Sequence, residues 1–302
     1  MAGQADSLKS ILFALFANSA IALAKGVAAF MTGSGAMLAE AIHSVADAGN
    51  QLLLILGLRQ TKKLPTHDHP LGFGKSIYFW SFLVAVILFS LGGMFSLYEG
   101  VHKLLHPVPL NHPWIAIAVL LFAIAAESVS LWGCMREVNK ERYGRNLLQW
   151  FRNSRSSALI VVFGEDVAAL FGLVFALLAV TMTWLTGNPL WDAIGTISIG
   201  ALLIVVAVFV AIEVKELLIG QSVDPRLLAE MEEFLRGRPE VEEVYSLLTM
   251  QFGPDAMVAV KARMAPTGSE RALVETINRV ERAFRERFDS IAWLFFEPDV
   301  ED

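Results

Sequence analysis

The chain has 302 residues, 55% of them apolar, and a mean hydropathy of +0.54. This composition excludes an ordinary soluble globular domain and fits a polytopic membrane protein. The net charge of -6 gives no reason to expect a nucleic-acid partner, and a single cysteine, Cys134, excludes an internal disulfide or a thiolate cluster within one chain.

A short polar N-terminus, Met1–Lys9, precedes an apolar segment running roughly from Ile11 to Met31. That segment holds Asn18 and Lys25 and lacks a cleavage site after a short apolar core, so it reads as a retained transmembrane helix rather than a signal peptide. Ala36–Leu58, Ile77–Leu105, Pro113–Met135, Ser157–Leu185 and Leu190–Leu218 follow. Each of these segments has the length of about 20 residues that a spanning helix needs. The connections differ in charge. Arg59, Lys62, Lys63 and Lys75 lie between the second and third segments, and Arg136, Lys140, Arg142, Arg145, Arg152 and Arg155 between the fourth and fifth. Thr32–Gly35, His106–His112 and Gly187–Pro189 carry no Lys or Arg. The positive-inside rule then places both termini in the cytoplasm, with Trp114, Trp184 and Trp191 in an outer interfacial belt and Trp80 and Trp150 in an inner one. A bacterial inner membrane is the simplest expectation for a short chain without a transit peptide.

After Gly220 the apolar runs shorten and charge rises. Asp224 and Pro225 form a helix start, cap and first turn. Pro225–Arg236 reads as a helix, Val241–Gln251 as a strand and Gly253–Asp255 as a turn. Met257–Met264 alternates as a second strand, Ser269–Phe288 has helical spacing, and Ile291–Phe296 is a last strand. The chain thus divides into a six-helix transmembrane domain, 1–220, and a small cytoplasmic α+β domain, 221–302, whose αββαβ order suits a ferredoxin-like open-faced sandwich. A domain this small holds a modest core, which dimerisation would supplement.

Within the second segment, His43 and Asp47 are four residues apart and share one helix face. Glu40, Ser44, Asn50 and Gln51 extend the polar stripe. A carboxylate inside a membrane needs a partner, and imidazole nitrogen with carboxylate oxygen suits a divalent transition ion, zinc first among them. The fifth segment carries Glu165 and Asp166; adjacent residues diverge by about 100° on a helix, so only one faces the His43–Asp47 pair squarely, with Asp166 favoured. Asn18 and Lys25 share a face in the first segment, and a structural pairing with Glu99 or Glu127 is expected. Asp192 reads as a cap at the start of the sixth. His67, Asp68 and His69 concentrate potential ligands in the loop 66–75, but neighbouring residues rarely complete a rigid site, and Pro70 with the glycines favours a structural turn.

These residues resemble the cation diffusion facilitator family of metal transporters. The resemblance rests on Gly-Ser-Gly-Ala-Met-Leu-Ala-Glu-Ala-Ile-His-Ser-Val-Ala-Asp in the second segment, His-Pro-Leu-Gly-Phe-Gly-Lys after it, six spans and the αββαβ tail. His-Ser-Val-Ala-Asp-Ala-Gly-Asn-Gln with the Glu-Asp pair is similar to the zinc transporter 9-like subgroup. The resemblance implies metal/proton antiport, a four-ligand site shared by the second and fifth spans, and a homodimer joined partly through the tail. His43 and Asp47 match the two ligands of the second span, and Asp166 one of the fifth. Val162 stands where the family has its other fifth-span ligand, which leaves Glu165 or water to complete the set. The tail has no histidine, so the family's tail metal sites are not expected, and the loop site is matched only at His69.

The leading expectation is a proton-coupled exporter of a divalent cation, zinc favoured, with protons and the metal ion as partners, no cofactor and no enzymatic step. Metal and proton are antagonists because the ligands must lose protons to bind metal. A transport-inactive sensor or scaffold, suggested by Val162, is the alternative. A membrane metalloenzyme fits less well, as neither His-Glu-x-x-His nor a nucleophile with its base is present.

Overall fold

The computed structural model describes residues 18–301. Met1–Lys9 and the beginning of the first expected span lie outside the described residues. Residues 18–32 are helical (α1), and Gly35–Thr61 follows as α2, its first turn capped by Ser34 Oγ, which accepts from the Met37 N–H. Ser76–Leu105 (α3), Pro113–Glu141 (α4), Ser157–Thr186 (α6) and Leu190–Ile219 (α7) are, with α2, long and apolar enough to cross a membrane. A short helix, Leu147–Asn153 (α5), sits inside the basic connection between α4 and α6 and starts on a capping box of Asn146 and Gln149.

Small residues set how closely the spans pack, as is usual where no hydrophobic drive separates helix from lipid. A Cβ at Gly93 of α3 would lie 2.5 Å from Ile204 Cγ1 of α7, and one at Gly200 of α7 would lie 2.7 Å from the Leu97 nitrogen of α3. Within α3, Leu88–Met94 is π-helical. This widened turn packs between α7 and α2, since a Cβ at Gly92 would sit 3.2 Å from Leu203 Cδ1 and 3.9 Å from His43 Nδ1. Its sequence, apolar apart from Ser90 and the Gly92–Gly93 pair, does not specify it.

Beyond Gly220 come Pro225–Arg236 (α8), Val241–Phe252 (β1), Asp255–Met264 (β2), Glu270–Arg287 (α9) and Ile291–Pro298 (β3), the expected αββαβ order. Asp224 caps α8 by accepting from the Arg226 N–H, with Pro225 in the first turn. The sheet order is β1-β2-β3. β1 pairs antiparallel with β2 through the turn at Gly253 (φ 64°), and β3 returns parallel to β2 after the α9 crossover. β2 alternates buried and half-buried residues, and Met231, Leu235, Val280, Phe284 and Phe288 pack over it from the helices.

The basic connections and the small domain meet at one end of the bundle. The Gly253 N–H donates to Tyr78 Oη at 2.8 Å, and a Cβ at Gly74 would fall 2.4 Å from the Phe252 carbonyl oxygen. Arg155 Nε donates to Ser222 O at 2.6 Å, while Arg145 clasps both Asp224 oxygens at 2.6 and 2.7 Å. Burial alone would raise the Asp224 carboxyl, but the bonds from Arg145 and the Arg226 N–H, with the nearby Arg155 charge, hold it below its ordinary value. Trp150, expected in the inner belt, is instead buried, its ring 5.4 Å from that of Phe163. α5 folds it inward. Trp114, Trp184 and Trp191 remain exposed.

Candidate metal centre

The polar stripe of α2 faces inward: Glu40, His43, Ser44 and Asn50 are buried. His43 Nε2 lies 3.5 Å from Asp47 Oδ2, close but too far for a good hydrogen bond. Neither His43 nitrogen, nor Asp47 Oδ1, has a hydrogen-bond partner. Buried polar atoms are normally paired, so these orphaned donor atoms fit a ligand-binding role.

The two carboxylates of α6 go separate ways, as their 100° offset requires. Glu165 Oε1 accepts from Asn50 Nδ2 of α2 at 2.6 Å. Asp166 Oδ1 accepts from Ser130 Oγ of α4 at 3.2 Å, leaving Oδ2 buried without a partner. The favoured expectation was that Asp166 turns to α2; the hydrogen bonds place Glu165 on that side. Both line, with Asp47, Glu127, Ser130 and Val162, a cavity of about 50 Å³. That volume admits a water or a small ion. His43 is not on its wall and meets it through Asp47. Among the described residues, no three His, Cys, Asp or Glu side chains converge closely enough to hold an ion as they stand.

Two other expectations change, and the loop 66–75 keeps its expected form. Lys25 pairs with neither Glu99 nor Glu127: its Nζ donates to Glu40 Oε2 at 3.2 Å and Ser44 Oγ at 2.7 Å. α1 lies along α2, so the cation meets the polar stripe one turn from His43. Asp192 caps not its own helix but the start of α2, accepting from Ser34 Oγ, from the Gly35 N–H at 2.7 Å and from Lys103 Nζ at 3.0 Å. Lys103 Nζ also donates to the Gly33 carbonyl. His67, Asp68 and His69 are exposed, and His69 stacks on Phe73 with its backbone paired to Thr66, as a structural turn requires.

Two residues of α4 take a place not expected of them: Glu127, foreseen only as a partner of Lys25, and Ser130. Glu127 and Ser130, one turn apart in the apolar part of the helix, have the spacing of a shared face. Only the packing of α4 on α6 brings them to the cavity.

Residues 11–219 match the cation efflux transmembrane domain. The chain is 34% identical over 247 residues to the Xenopus laevis protein named proton-coupled zinc antiporter SLC30A9, mitochondrial, covering 81% of this chain and 44% of that protein. The Homo sapiens protein of that name is 32% identical over the same shares. Metal tolerance protein C4 of Arabidopsis thaliana is 30% identical over 250 residues, 82% of this chain and 55% of that one. The chain thus spans about half the length, or less, of these curated relatives. With 209 consecutive residues (11 to 219) matching the domain, and these relatives similar across it, the chain belongs to the cation efflux, or cation diffusion facilitator, family, close to the SLC30A9-like group.

Proposed function

We propose that the protein is a multi-pass exporter of divalent metal cations, zinc the favoured cargo, working by metal/proton antiport. The carrying observation is the polar cavity between α2 and α6, with Asp47 and Glu165 on its wall and His43 one turn behind Asp47. In this reading His43, Asp47 and Glu165 bind the ion and Asp166 lies beside them. One nitrogen among carboxylate oxygens suits zinc, and the relatives' names agree. Protons couple because bound metal displaces them from the same groups, and helices rocking about the cavity would give alternating access. The positive-inside rule supports a cytoplasmic side for the basic connections and the small domain, and on that orientation cargo leaves the cytosol. A homodimer is consistent with a domain of limited core that leaves Leu248 and Phe295 exposed.

Zinc flux into proteoliposomes under an imposed pH gradient tests this. Asp47→Ala should insert and fold yet carry no flux, and collapsing the gradient should slow the wild type. Undiminished zinc flux in folded Asp47→Ala would overturn the site.

A further inference from the structure

We infer that Glu127 of α4 is a further cargo ligand, supplying the donor that the family has where this chain has Val162. The inference rests on the cavity being the transport site, and extends that site to a third helix.

Val162 and Glu127 line the same cavity, one from α6 and one from α4. The valine presents only methyl groups to it, so whatever completes an ion's coordination comes from another wall. Among the described residues the half-buried Glu127 makes no hydrogen bond or ion pair, although a carboxylate in an apolar span is costly without a partner. Lys25 acts on it only through space, its ammonium being bonded to Glu40 and Ser44. The face of α4 is fixed independently by Ser130, three residues on, whose hydroxyl donates to Asp166. Asp166 itself is nine-tenths buried and lines the cavity with its Oδ2 unpartnered. Oxygen from α2, α6 and α4 walls this one cavity, and a divalent cation entering it would draw these side chains inward from positions where, as they stand, no three converge.

Specificity follows from the exchange. With oxygen from Glu127 in place of a fifth-span imidazole or carboxylate, the donor set holds a single nitrogen, from His43. Oxygen-rich sets accept harder ions such as manganese more readily, whereas added imidazole favours zinc.

Isothermal titration of zinc and manganese into the purified full chain, at fixed pH, tests this with Glu127→Gln, Val162→His and the double variant. Glu127→Gln should weaken zinc binding by at least about tenfold, the lower range for losing a group that supports a metal. Val162→His alone should tighten zinc and leave manganese behind. In the double variant the histidine should bring zinc affinity back to within a few-fold of wild type while manganese binding stays weak. Melting in chelator checks folding, and Glu127→Asp, which keeps a carboxylate on a shorter stem, should bind with intermediate affinity. Unchanged zinc binding in Glu127→Gln overturns the inference and leaves the transport reading standing. Loss that Val162→His does not repair also overturns it, assigning Glu127 a packing role. Full-affinity binding by Asp47→Ala would overturn the site itself and this inference with it.

Discussion

Replacing Lys25 by methionine removes the cation from an ion pair whose two side chains are wholly buried. Lys25 Nζ and Glu40 Oε2 are 3.2 Å apart, which at an effective dielectric near 20 corresponds to a Coulomb attraction of about 5 kcal/mol. Desolvation offsets much of that, so the pair adds little over an apolar replacement, but a survivor left alone has no compensation. Breaking such a pair costs about 3–5 kcal/mol. At about 2 °C per kcal/mol, the low end for larger chains, Lys25→Met or Glu40→Gln should each lower the melting temperature by about 6–10 °C. The double variant should recover most of the loss, since no buried charge remains. Thermal unfolding of detergent-solubilised protein in chelator measures this without the stabilisation that bound cargo would add. Single variants that melt within a degree of wild type, or losses that simply add in the double variant, would refute the account of Lys25 and Glu40 as a mutually dependent pair.

Gly74→Val places branched carbon against the Phe252 carbonyl, where even a Cβ would come within 2.4 Å. It should push the small domain off the bundle and speed proteolysis near residues 219–224 severalfold; an unaltered cleavage rate would show that the contact is not needed for docking. Asp192→Ala strips the start of α2 of its carboxylate cap and leaves Lys103 facing the Gly33 carbonyl alone. Loss of an N-cap costs about 0.5–2 kcal/mol, so its melting temperature should fall by a few degrees, with Asp192→Asn retaining part of the difference.

Length and apolarity made the spans legible, and period-2 and period-3.6 patterns gave αββαβ, down to Asp224 as a cap. These are properties of single segments. What the sequence left open depends on which segments become neighbours. Lys25 has acidic candidates on three helices, and only the packing of α1 along α2 selects Glu40. Asp192 carries the marks of a cap, but the helix it caps is 157 residues away in sequence. The buried Trp150 was more accessible to reasoning: Asn146 and Gln149 spell a capping box, and a helix starting there turns the indole inward. The π-helical Leu88–Met94 has no such signature. The choice between Glu165 and Asp166 is a rotation of α6 about its own axis, and apolar residues on every side conceal that rotation until Asn50 and Ser130 are in place.

The helices that carry the candidate ligands also bear on the small domain. α2, with His43 and Asp47, runs into the loop whose Gly74 abuts Phe252, and α3 continues from it with Tyr78 bonded to Gly253. α6, with Glu165, begins just after Arg155, which holds the Ser222 and Val223 carbonyls. The two walls are thus anchored to neighbouring stretches of the small domain, α2 through 252–253 and α6 through 222–223, which the Gln251 N–H joins by donating to the Gln221 carbonyl. A tilt of α2 relative to α6 that opens the cavity must therefore either strain this junction or carry the small domain with it. His-Pro-Leu-Gly-Phe-Gly-Lys finds its physical reason here. Its glycines let the loop approach a strand end closely, and its histidine stiffens the turn by stacking on Phe73.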